Sequence, residues 1–303
     1  MDEYKLQYSV GTLAGKELLP AGTVLDEETL QELNKAGNNP FPQSVKFLTY
    51  RSVKNDLLDF FSQPPYSTIF ANSHRYTPTL DVLDKIYLPL PILESLDFFK
   101  EYDFYTYRHM LLVLALSIRL SQTLMKDPED LLQGAVASPS HDFGKICVPL
   151  EILKKTTPLT LAERKILEHH TLAGYVLLRY YISDPRQLAA RIARDHHERM
   201  NGTGYPLGIT AKDWMVEIVV VSDVYDALIS PRPYRPTSYE NRTALEEICD
   251  KAENGDISWD VVKALVSINR REKNHYHSCT VSDERRGVPP ADNIYGIIAD
   301  QPT

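Results

Sequence analysis

The sequence predicts a mainly α-helical protein, in which a helical domain follows a small α/β N-terminal module. Three observations carry that expectation. Residues 106–125 read as one long apolar helix. Helix-start signals recur from residue 160 to residue 258. Prolines crowd the first part of the chain, at 40, 42, 64, 65, 78, 89 and 91, where the strand-like runs also lie. The chain therefore divides into a loop-rich regulatory or partner-binding module over 1–91, a helical domain over 92–270 and a polar tail over 271–303.

In chain order, KLQYSV and SVKFLTY have the short alternating character of strands, and DEETLQELNKAG reads as a helix stopped by Gly37. Residues 160–182 carry helical spacing, and Thr160 with Glu163 forms a capping-box arrangement at its start. Ser183-Asp184-Pro185 opens a further helix that ends near His196 and His197. Thr210 is placed to cap the next, which runs through Ser222. Ser238 and Ser258 each precede another helical segment, the first ending near Gly255. The tail closes on a short apolar patch, IYGII. There is no internal repeat and no low-complexity segment.

Composition narrows the function classes. With 303 residues, 43% hydrophobic and 24% charged, the chain has ordinary globular character. A formal net charge of −8 argues against a basic surface for nucleic-acid polymers. Cys147, Cys249 and Cys279 are widely spaced and include no CxxC pair, so neither a disulfide framework nor a zinc ribbon is indicated. A reducing compartment follows. The start MDEYKLQYSV has no apolar signal core, and the apolar runs are too short or too charged to span a bilayer. The reading is a cytoplasmic protein with no membrane partner.

Two stretches carry chemistry: HDFGKI at 141–146 and HHERMNGTGYP at 196–206. With His109, His170 and Asp223 they bring the candidate ligands to seven: His109, His141, Asp142, His170, His196, His197 and Asp223. Nitrogen and carboxylate donors without thiolates suit Fe, Mn, Zn, Ni or Co. Seven donors exceed what one ion takes while keeping room for water and substrate; they suit two ions sharing a carboxylate. Asp142, next to a ligand histidine, is the natural bridge. Lys145 lies one turn after His141-Asp142, so a helical turn there puts all three on one side. Asp223 and Asp226 are likewise a turn apart. His196 and His197 stand about 100° apart on any helix, so both reach one site only at a helix end beside a loop.

The order H…HD-x-GK…H…HHE-x-x-x-G-x-GYP…D-x-YDAL…RPYR resembles the HD-GYP family over about residues 105–270. The resemblance implies a metal-dependent phosphodiesterase that hydrolyses the bacterial second messenger cyclic di-GMP to linear pGpG, and leaves open whether hydrolysis stops there or goes on to GMP. It implies two divalent ions, Fe or Mn. Residue by residue, His109, His141, Asp142, His170, His196, His197 and Asp223 correspond to metal ligands, with Asp142 and Lys145 as the catalytic pair. Lys145, Asp226, Arg232 and Arg235 correspond to groups that meet the dinucleotide, and Gly204-Tyr205-Pro206 to the loop at the substrate entrance. Two other functions compete: a non-catalytic cyclic-dinucleotide receptor, and a phosphodiesterase for another cyclic dinucleotide.

The chain also departs from the family's pattern. Thr171 stands where proline usually follows the third histidine. Ser138-Pro139-Ser140 replaces a leucine-rich approach to HD, which predicts a kink. Ile257-Ser258-Trp259-Asp260 stands where QFDP is common. Tyr105 occupies the position at which some members carry a glutamate for a third metal, which favours two ions. His169 lies one place off the motif and is read as a non-ligand, and HYHSC at 275–279 as structural.

Overall fold

The computed structural model describes residues 4–37, 43–125, 127, 140–182, 188–210, 213–232, 235, 237–270, 275–282, 284–291, 293 and 297–299. Over these the protein is mainly helical, as the sequence predicts, with two small two-stranded antiparallel sheets before residue 90. In the first, β1 (Val10–Gly11) pairs with β2 (Glu17–Leu19). Helix α1 (Glu27–Gly37) follows, with Asp26 accepting from the Thr29 amide at 2.8 Å. In the second sheet, β3 (Ser44–Lys46) pairs with β4 (Tyr87–Pro89), and the chain between them forms α2 (Val53–Ser62), α3 (Tyr66–Ile69) and α4 (Ser73–Leu83).

Helix α5 (Leu90–Tyr102) has Pro91 in its first turn, where the missing amide costs nothing. Helix α6 (Phe104–Leu124) starts on Asp103, whose carboxylate accepts from the Thr106 hydroxyl at 2.6 Å. Every residue from Met110 to Ile118 of α6 is buried, the mark of a helix enclosed on all sides. Residues 128–139 lie outside the described set, and with them the kink expected at Ser138-Pro139. Ser140, His141 and Asp142 then lead into a 3-10 turn, Phe143–Cys147, and α7 (Leu150–Leu153).

Residues 160–182 form two helices rather than one: α8 (Leu161–Glu168), with the Thr160/Glu163 capping box in place, and α9 (His170–Tyr181). The break has a local cause. The Thr171 hydroxyl donates to the Glu168 carbonyl at 2.9 Å, and His170 Nδ1 donates to the Leu167 carbonyl at 2.5 Å. Side chains thus take acceptors at the end of α8 that a continuing helix would use. Helix α10 (Leu188–Asp195) is described from Leu188, so its expected start at Ser183-Asp184-Pro185 lies outside the described residues. Helix α11 (Trp214–Ile229) is capped by Asp213, which accepts from the Met215 amide at 2.9 Å, and not by Thr210. Helices α12 (Asn241–Glu253) and α13 (Trp259–Asn269) complete the domain.

Helices α6 and α11 pack against each other, and α9 packs on α10, on the 3-10 turn and on α1. One apolar core runs through both the N-terminal segment and the helical region. Asp56 of α2 joins them further: it accepts from Lys100 of α5 at 2.5 Å and from the Tyr107 hydroxyl of α6. The tail folds back. Arg285 pairs with Asp250 and Glu253 at 2.6 and 2.8 Å, and the Ala299 amide donates to the Leu159 carbonyl at 2.9 Å. Of the IYGII patch, only its last two isoleucines are described. Among the described residues, no helix is long and apolar enough to cross a membrane.

Candidate metal centre

The candidate ligands converge from several elements, most of them from the ends of helices and turns. His109 faces inward from the second turn of α6, and Asp223 from the middle of α11. His141 and Asp142 enter the 3-10 turn, His170 opens α9, and His196-His197 follow Asp195 at the end of α10. Close backbone packing fixes the HD turn against α9: a Cβ on Gly144 would lie 1.9 Å from the His170 carbonyl oxygen. Any side chain there would push His141-Asp142 away from His170.

Asp142 stands between two histidine pairs. Its Oδ2 lies 3.6 Å from His109 Nε2 and 3.5 Å from His141 Nε2. Its Oδ1 lies 3.6 Å from His170 Nε2 and 3.7 Å from His196 Nε2. Two groups of donors result, one of His109, His141 and Asp142, the other of His170, His196 and His197. Asp223 joins the first through His109 Nε2, at 3.0 Å from its Oδ1. All of the sequence-predicted ligands therefore lie in one cluster, buried except for the half-buried His197. His169 points elsewhere, edge-on to Tyr8 with ring centroids 5.4 Å apart.

The donor chemistry fits divalent cations. His170 Nδ1 donates to the Leu167 carbonyl, and His196 Nδ1 to the Ala193 carbonyl at 2.9 Å. As neutral tautomers both rings then turn Nε2 lone pairs into one gap, 3.3 Å apart. Only a proton or a cation in that gap makes such a contact favourable. Burial pushes the His170 imidazole down to about 3, which keeps it in the ligand form. Burial likewise lowers His197 and His141. Burial works against charge on Asp142 and Asp223 too, but the Lys145 ammonium and then His141 hold Asp142, and His109 holds Asp223, well below the usual carboxylate range.

Lys145 donates to Asp142 Oδ2 at 2.6 Å, so the HD-x-x-K spacing does bring the ammonium onto the shared carboxylate. Tyr205 stacks on His197, with ring centroids 4.6 Å apart and planes 20° from parallel. A Cβ on Gly204 would lie 2.4 Å from Glu198 Cα and the His197 carbonyl oxygen, so only glycine allows this approach. Pro206 follows in the same loop.

Three residues read as substrate contacts are buried and have partners within the chain. Asp226 is fully buried behind His109, where Oδ2 accepts from Nδ1 at 2.6 Å. Arg232 is buried in the same layer, its Nη2 lying 3.7 Å from Asp226 Oδ2 and 3.0 Å from His109 Nδ1. The imidazole proton goes to the carboxylate, so Arg232 acts as the charge partner of Asp226. Arg235 is 2% exposed and donates to the carbonyls of Ala227, Leu228 and Ser230 at the end of α11. A buried guanidinium needs acceptors, and a helix C-terminus supplies them.

Glu198 was legible only as the third letter of HHE. Its two oxygens accept from the Leu207 and Ile209 amides at 2.6 and 3.0 Å, and so pin the loop after Pro206. A glutamate nine and eleven residues from those amides leaves no spacing signal in the sequence. Tyr105, one turn before His109, is 44% exposed.

Buried imidazoles and carboxylates brought together in a mainly helical protein make a cluster that could hold metal, the mark of a class of metal-dependent helical domains. The family described as HD domain matches residues 95–257, and the chain belongs to it. The chain is 36% identical over 185 residues to a cyclic di-GMP phosphodiesterase of Thermotoga maritima, covering 59% of this chain and 49% of the relative. It is 36% identical over 180 residues to a cyclic di-GMP phosphodiesterase of Pseudomonas aeruginosa, covering 57% of this chain and 42% of the relative. A 3′3′-cGAMP-specific phosphodiesterase of Vibrio cholerae is 34% identical over 133 residues, 43% of this chain and 28% of the relative. The chain thus spans about half, or less, of the length of these relatives. Among solved structures, an HDG"Y"P protein from Bdellovibrio bacteriovorus aligns over 86% of this chain and 94% of its own, at 16% identity and a TM-score of 0.46.

Proposed function

We propose that this chain is a metal-dependent phosphodiesterase that hydrolyses cyclic di-GMP to pGpG and onward to GMP. The observation that carries the reading is the position of Asp142, with one carboxylate oxygen toward His109 and His141 and the other toward His170 and His196. That arrangement supports two divalent ions, Fe or Mn, which His109, His141 and Asp223 on one side and His170, His196 and His197 on the other would hold together with Asp142. Such ions would supply Lewis acidity at the phosphoryl oxygens and a water of lowered pKa.

The chain's own groups do the rest. Lys145 neutralises charge on Asp142 and is the cation proposed to meet a non-bridging phosphate oxygen. Gly204, Tyr205 and Pro206 form the proposed substrate-facing edge, with Tyr205 offering a ring face beside His197. Burial of the imidazoles excludes water from all but the open side of the site. Relatives named for cyclic di-GMP support this substrate, and relatives named for 3′3′-cGAMP favour a second reading in which the mixed dinucleotide is preferred.

The test is incubation of Mn²⁺-loaded protein with cyclic di-GMP, 3′3′-cGAMP and cyclic di-AMP, with products separated by chromatography. Faster conversion of cyclic di-GMP supports the first reading, and faster conversion of 3′3′-cGAMP the second. Binding without turnover of any of them overturns both in favour of a receptor. The N-terminal module is proposed to take a regulatory partner, and action in the cytoplasm is proposed with it.

A further inference from the structure

One side chain outside the family match reaches the back of the metal centre. Tyr66, the first residue of α3, is fully buried, and its hydroxyl donates a short hydrogen bond to Asp226 Oδ1. The other oxygen of Asp226 accepts from His109 Nδ1 at 2.6 Å. Phenol, carboxylate and imidazole form a line whose last member turns Nε2 toward Asp223 and Asp142.

The line is well held at its outer end. The Arg108 guanidinium lies over the Tyr66 ring, 5.3 Å from its centroid, and donates to Ser230 Oγ at 2.6 Å. Ser230 Oγ in turn lies 3.1 Å from Asp226 Oδ1. Burial and the neighbouring carboxylate raise the Tyr66 phenol well above its ordinary value, so it donates its proton and does not lose it. A carboxylate fixed at one oxygen presents the other at a set angle. A histidine that donates its remote N–H to such a carboxylate is locked in tautomer and ring orientation, with its other nitrogen more basic toward a metal.

We propose that Tyr66 is a positioning residue for His109: acting through Asp226, it lets the N-terminal module set the affinity of the centre for divalent cations. The proposal rests on the reading of the cluster as a metal centre. It makes the module part of the site's construction, since α3 precedes the matched residues 95–257.

The experiment is calorimetric titration of the metal-free full-length chain with Mn²⁺, together with circular dichroism and thermal melts. Tyr66→Phe should weaken one class of Mn²⁺ site by about threefold to tenfold, somewhat less than the loss of a direct outer partner of a ligand. Tyr225→Phe is the control. It removes another buried tyrosine hydroxyl from the same region, but one that donates to Asn241 Oδ1 at 2.6 Å, with Asn269 Oδ1 3.0 Å away. It should lower the melting temperature and leave Mn²⁺ affinity unchanged. In an Asp226→Asn background, Tyr66→Phe should add no further loss.

Unchanged affinity in Tyr66→Phe overturns the proposal, as does an equal loss in Tyr225→Phe or an undiminished effect in the Asp226→Asn background. If Tyr66→Phe does not fold, Asp226→Asn breaks the same line at its middle, and unchanged Mn²⁺ affinity there overturns the proposal too. A wild-type chain that binds no Mn²⁺ overturns the metal reading itself, a result distinct from each of these.

Discussion

His170 and His196 face one another through their Nε2 atoms at 3.3 Å, each with its Nδ1 held by a backbone carbonyl. Two lone pairs turned into one buried gap make the metal-free protein less stable than its loaded form. Adding Mn²⁺ at about a hundred times its dissociation constant should stabilise the fold by about 2.7 kcal/mol. In a chain of 303 residues that is a rise of roughly 4 °C in melting temperature. Scanning calorimetry with Mn²⁺ and with a chelator reads it directly. Identical melts in the two conditions would remove the cation from the gap.

Asp142 is the side chain common to both donor groups, whereas His169 packs on Tyr8. Asp142→Ala should reduce bound metal from about two ions per chain to near none and abolish hydrolysis. His169→Ala should keep the metal and most of the activity. Elemental analysis beside a turnover assay checks both variants, and equal metal loss in the two would mean that the ligand histidine is His169.

Asp56 ties α2 to α5 and α6, and its charge is pH-sensitive. Partial burial raises its pKa, but hydrogen bonds from Lys100, Tyr107 and Ser52 outweigh that and hold it below its ordinary 3.8. A carboxyl depressed in the folded state stabilises the fold above its unfolded pKa, and the contribution disappears as pH falls through the folded value. Asp56→Asn should therefore melt below wild type by a constant margin from pH 7 down to about 4, and the margin should shrink at lower pH. A margin that widens on acidification would contradict this.

Arg235 is built into the end of α11, so its loss should act on stability. Arg235→Ala leaves the Ala227, Leu228 and Ser230 carbonyls without their shared donor and should cost about 2–3 kcal/mol. Denaturant unfolding measures the loss. Weakened dinucleotide affinity at unchanged stability would instead restore Arg235 to the substrate side.

The cluster of ligands was legible because its chemistry is written in short local signals: HD, HH and a lone histidine on an apolar helix, in a fixed order. The long helices were legible for the same reason, since periodicity and caps are local. What lay beyond reach was direction. RPYR reads equally well as two outward or two inward arginines; only the buried acceptors, Asp226 for one and the α11 carbonyls for the other, decide that both turn in. Asp226 reads as a second carboxylate one turn after Asp223, yet that turn carries it behind His109. The break at His169 was hidden as well, because Thr171 and His170 act by capturing carbonyls and not by interrupting a pattern.

The loop through Tyr205 is anchored at three points: Gly204 against the backbone of Glu198, Tyr205 on His197, and the Leu207 and Ile209 amides on the Glu198 carboxylate. A segment already ordered has little conformational freedom left to surrender when a ligand arrives. Such a loop is a door frame and not a door, so binding of the proposed dinucleotide should depend on diffusion and local charge, with no slow closing step before it.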